Sequence, residues 1–135
     1  MSGLDLSFPI DLKSPRRHLY VSGFACGGLA AGDLTGDGRP DLVFAGAGRR
    51  NRLYVNRGGF RFEEQPEAGI AGGQKWSSGV ALVDIENDGD LDAYFTLYDA
   101  PNQLFLNDGT GRFSEAAVRF GLDLVDASLA PAFCD

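Results

Sequence analysis

A chain of 135 residues, 44% of them hydrophobic and 23% charged, is sized for one domain with a modest core. Its net charge of −7 argues against a nucleic-acid binder, which needs a basic face. No run reaches the roughly 18 apolar residues of a membrane span, and Met1–Leu12 lacks the charged and apolar regions of a signal peptide.

The 19 glycines imply many tight turns, and few segments carry helical periodicity, so an all-β fold is expected. In chain order, residues 8–24 are predicted to supply an outer strand and a connection. The first unit then reads as strands over 28–34, 42–45, 52–55 and 60–64, the last two joined by Asn56-Arg57-Gly58-Gly59. Residues 66–75 form a looser connection. The second unit reads as strands over 78–85, 91–98, 103–106 and 112–116, with a break at Asp99-Ala100-Pro101 and a hairpin turn at Asn107–Gly111. Residues 120–127 form a second loose connection.

The two units are copies. At an offset of 51 residues, Gly28, Ala30, Asp33, Asp37, Gly38 and Asp41 fall on Gly79, Ala81, Asp84, Asp88, Gly89 and Asp92. Further on, Asn51, Leu53, Asn56, Gly58, Arg61, Phe62 and Glu64 fall on Asn102, Leu104, Asn107, Gly109, Arg112, Phe113 and Glu115. The same offset carries Asp84 onto Asp135. Four-stranded units at this period predict β-propeller blades, about two and a half repeats of them, with the small residues of each first strand crowding an axis. The chain accordingly divides into an outer strand and connection (1–27), two repeats (28–78 and 79–129) and the start of a third (130–135). Two blades alone leave faces uncovered, so a homo-oligomer, or further blades from a longer chain, is expected to complete the ring. A light-scattering mass above that of one chain checks the first alternative.

Asp84–Asp92 packs five acidic residues into nine positions around Gly89, and Asp33–Asp41 is its counterpart. Carboxylates on alternate residues beside a sharp glycine reversal can converge on a hard cation, and two such loops in register favour metal over simple turn chemistry. The predicted ligands are the side chains of Asp84, Glu86, Asp88 and Asp92 with the Asp90 carbonyl, and those of Asp33, Thr35, Asp37 and Asp41 with the Arg39 carbonyl. Calcium is preferred, because magnesium resists full dehydration into a protein cage. An EF-hand is excluded: its position 12 needs Glu, and Phe44 and Phe95 stand there. Thr35 leaves the upstream loop with three carboxylates against four downstream, so the downstream site is expected to bind more tightly.

These loops, with Trp76–Ala81, Asn102–Asn107 and Gly109–Phe113, make the chain resemble the FG-GAP or VCBS repeats of integrin-α-type β-propellers. The resemblance covers about residues 28–135. It implies calcium in each loop joining the first and second strands, a non-catalytic role in binding a protein or glycan, in adhesion or in scaffolding, and a place outside the cell or in the periplasm. The alternative is a fragment of a propeller-based carbohydrate-active enzyme of the polysaccharide-lyase type.

Other chemistry is thin. His18, the one histidine, has no nucleophile context, and zinc-type clusters and phosphate-cradling glycine loops are absent from the sequence. Arg49, Arg50, Arg52, Arg57 and Arg61 form a basic cluster, read as a solvated face or a contact for an acidic partner. Trp76 is expected to pack between blades. Cys26 and Cys134 are too few for a disulfide framework and are expected as free thiols.

Overall fold

The computed structural model describes residues 2–4, 27–127 and 130–133. The expected outer strand over 8–24, His18, both cysteines and Asp135 lie outside the described residues.

Two antiparallel meanders account for almost all the regular structure. The first runs β1 (Leu29–Gly32), β2 (Asp41–Phe44), β3 (Arg52–Asn56), β4 (Phe62–Glu64), and the second β5 (Ser77–Val83), β6 (Asp92–Pro101), β7 (Gln103–Asn107), β8 (Phe113–Glu115). Strand neighbours in sequence are neighbours in space, as short connections dictate. The all-β blade architecture read from the sequence is therefore observed, with each predicted strand within a few residues of its place.

Alternation decides which side chains meet. Val43 pairs across from Leu53, and Ala93 from Phe105; with Val55, Phe95 and Leu97 they form one buried cluster. Leu34, Ala68 and Ile70, from the loops and connections, complete it. Phe95 and Phe105 meet edge to face at 5.7 Å, a geometry the ring quadrupoles favour. On the opposite face of the second sheet, Tyr94, Leu104 and Leu106 pack with Ala116 and Ala117.

The inner strands lie close together. A Cβ built on Gly28 would stand 2.8 Å from the Val80 N, and one on Gly32 would strike Leu82 and Leu91. This is why β1 and β5 carry small residues: the space is filled by the neighbouring strand and its side chains. Trp76 also contributes between the units, its ring lying 3.5 Å from where a Gly48 Cβ would be.

Several hydrogen bonds reach outside the meanders, three of them bearing on how the units are joined. The Phe62 N–H donates to the Ser2 carbonyl and the Phe113 N–H to the Ala68 carbonyl, both at 2.7 Å. The buried Asn107 amide donates to the Leu34 carbonyl at 3.0 Å, tying the second unit to the first loop.

Two features differ from expectation. The break at Asp99-Ala100-Pro101 is instead a bulged continuation of β6, with Asp99 at φ 56°. A further strand, β9 (Val125–Ala127), pairs with Tyr98, Ala100 and Pro101 and holds that segment extended. The loose connection over 120–127 contains this strand, and it begins at the end of a short helix, α1 (Ala117–Phe120), stopped by left-handed Gly121.

Candidate metal loops

The nine-residue loops join β1 to β2 and β5 to β6, and their first and last aspartates build them. Asp33 accepts hydrogen bonds from the N–H groups of Thr35, Asp37 and Gly38, at 3.3, 3.2 and 2.7 Å. Asp84 does the same for Asp88 and Gly89, at 3.1 and 2.9 Å. The Gly38 N–H, above all, holds the Asp33 carboxyl below the usual range. Gly38 and Gly89 sit at φ 80° and 98°, as the sharp reversal requires.

The closing aspartates are buried at the start of β2 and β6. Asp41 accepts from the Leu34 N–H at 3.0 Å and the Asn56 N–H at 2.8 Å, and the Thr35 hydroxyl reaches it at 3.3 Å. Asp92 accepts from Ile85 at 3.0 Å and Asn107 at 2.9 Å. Burial pushes the Asp92 carboxyl up, and the two N–H groups work against that rise. A carboxylate has about four lone-pair sites, so these bonds leave acceptor capacity on each aspartate.

At the seventh loop position the copies part company. In the upstream loop Arg39 donates through Nε to the Asn56 carbonyl at 3.0 Å, and its Nη2 pairs with the Asp37 carboxylate. That loop carries its own cation. Downstream the same position is Asp90, whose Oδ1 is buried without a hydrogen-bond partner among the described residues. Desolvation, contact with Asp88 and the charges of Asp88, Asp92 and Asp84 push the Asp90 carboxyl up to about 6. Glu86, the predicted third-position ligand, lies 3.4 Å from Arg119 of α1.

Among the described residues no three acidic, histidine or cysteine side chains converge in a metal-holding arrangement. The carboxylates turn instead onto the N–H groups of their own loops. The downstream donor set still fits a hard cation: it is all oxygen, crowded with like charge, and includes an orphaned carboxylate oxygen. The upstream set fits less well, because a guanidinium already neutralises Asp37. Sequence reasoning used only the backbone carbonyls of Arg39 and Asp90 and so missed their side chains. The departure of these two residues from the 51-residue match was the available signal.

The Asp90 carboxyl sets a pH dependence. Its folded value of about 6 exceeds the ordinary 3.8, so between these values the folded chain holds a proton that the unfolded chain has lost. In a chelator, stability is expected to fall as pH rises from about 4 to about 6 through this group. Urea titrations of the chain and of Asp90→Asn across that window check this; the variant should show a shallower decline.

Two four-stranded antiparallel units in one sequence register, each with an acidic loop between its first and second strands, define a blade-repeat protein. Residues 33–95, a span that takes in both acidic loops, match the family model described as an FG-GAP-like repeat. No curated protein matches the chain. Among the described residues no helix is long and apolar enough to cross a membrane.

Proposed function

We propose that the chain is a non-catalytic, calcium-stabilised repeat module for binding or scaffolding, with Asp84–Asp92 as its principal calcium site. The observation that carries this is the crowding of Asp84, Asp88, Asp90 and Asp92, with a buried Asp90 oxygen unpartnered among the described residues and its carboxyl raised to about 6. A divalent ion relieves that repulsion. Asp84, Asp88 and Asp92 would hold the ion. Asp33, Thr35, Asp37 and Asp41 form the weaker site, because Arg39 must first leave Asp37. The FG-GAP-like repeat match supports a place outside the cell.

Calorimetry with calcium tests the proposal. Asp88→Ala should lose the tighter binding phase, whereas Asp37→Ala should retain it. Weaker residual affinity in Asp37→Ala would overturn the ranking, and no heat in the unsubstituted chain would overturn calcium binding altogether. At a calcium concentration of about 100 times Kd, thermal unfolding should show a stabilisation of about 2.7 kcal/mol that a chelator removes.

A further inference from the structure

The end of the sheets opposite the acidic loops carries a feature that the loops do not explain. The turn from β2 to β3 and the connection into β5 enclose an open cleft of about 490 Å³, lined by Gly48, Arg49, Arg50, Arg52, Gly73 and Gln74. That volume lies within the range of small-ligand sites. Glu64 accepts from Arg50 at 3.0 Å and lies 3.8 Å from Arg52. Arg49 makes no ion pair or hydrogen bond among the described residues. Among the described residues the Arg49 guanidinium is thus an uncompensated positive charge on a chain of net charge −7.

The second repeat serves as an internal control. Gly48 and its counterpart Asp99 both adopt positive φ, at 71° and 56°. Asn51 accepts from the Gly46 N–H at 3.0 Å, and Asn102 accepts from the Leu97 N–H, the equivalent residue, at 2.8 Å. The same turn is therefore built in both repeats, with Ala100, Pro101 and Gln103 standing where the first repeat has Arg49, Arg50 and Arg52. The backbone does not require arginine at these places.

We propose that this cleft binds an acidic glycan, whose carboxylate or sulfate groups are held by Arg49 and Arg50. Guanidinium forks match such oxyanions in two-point geometry. Glycine backbone and the Gln74 amide offer hydrogen bonds to hydroxyl groups. Among the described residues the lining includes no apolar side chain to anchor a peptide, whereas protein interfaces centre on buried apolar and aromatic anchors. The proposal rests on the reading of the chain as a binding module, but not on calcium.

The test is calorimetric titration of the full chain with oligogalacturonate, dextran sulfate oligomers and neutral dextran, in about 0.15 M salt. At least one acidic probe should bind and neutral dextran should not; which acid binds separates carboxylate from sulfate recognition. The double variant Arg49→Ala/Arg50→Ala should weaken binding about tenfold with little change in unfolding temperature. Arg57→Ala, which removes a positive charge at the other end of the sheet, should stay within about twofold. Failure of both acidic probes, an equal loss in Arg57→Ala, or equal competition by polyglutamate overturns the site. Running the glycan titration in a chelator and the calcium titration without glycan or chelator separates the two readings: calcium heat without glycan heat sinks only this proposal, and glycan heat without calcium heat sinks only the calcium site.

Discussion

Asp92→Ala is expected to lower the unfolding free energy by about 3 kcal/mol even with calcium chelated. Asp92 is 1% exposed, and its two oxygens are the acceptors for the Ile85 and Asn107 N–H groups. Alanine leaves both donors facing a small cavity, and each such orphan costs about 1–3 kcal/mol. Part of that cost is offset, because the substitution also removes a carboxyl that burial disfavours in its charged form. Asp92→Asn keeps one acceptor oxygen and should lose less. Equilibrium urea unfolding in a chelator measures both, and a loss below about 1 kcal/mol for alanine would show that the aspartate serves only a metal. Asp41, 0% exposed and bonded to Leu34 and Asn56, should behave in the same way.

Gly69→Ala is the second substitution expected to cost about 3 kcal/mol or more. Gly69 has φ +86°, and a Cβ there would lie 2.2 Å from the Phe113 carbonyl oxygen. Backbone stands in the way, so no side chain can swing aside, and the bond from the Phe113 N–H to the Ala68 carbonyl must open. Gly58 supplies the comparison: its φ is +82° with nothing within 4 Å of the added atom. Gly58→Ala should cost only the left-handed strain of about 1–2 kcal/mol. The difference between the two unfolding free energies isolates the close approach; equal losses would place the Gly69 effect in φ alone.

Much of the fold was legible because the chain states it twice. The match at 51 residues located the strands, the acidic loops and the paired asparagines Asn51/Asn102 and Asn56/Asn107, whose turn-closing bonds recur in both copies. What escaped was set by contacts between distant segments. Asp99-Ala100-Pro101 has the composition of a break, yet pairing with β9 holds it extended. The helix Ala117–Phe120 is too short to show a period. In the loops, spacing pointed to the carboxylates, but whether a neighbour neutralises them depends on where Arg39 and Asp90 lie in space. Arg39 reaches Asp37 by anchoring on Asn56, 17 residues away, and Asp90 is wedged against the Gly109 turn.

The paired bonds from Phe62 to Ser2 and from Phe113 to Ala68 bear on how the chain emerges from the ribosome. In each sheet the last strand is bonded to residues that precede that sheet in the chain and have already been synthesised. The fourth strand of each blade can therefore dock as soon as it appears, whereas β9 joins the second sheet only later. The second blade then fastens backwards, Asn107 onto Leu34, onto a first blade already in place. The second blade thereby shelters the apolar face of the first, whose Val43, Leu53 and Val55 share one core with Phe95 and Phe105.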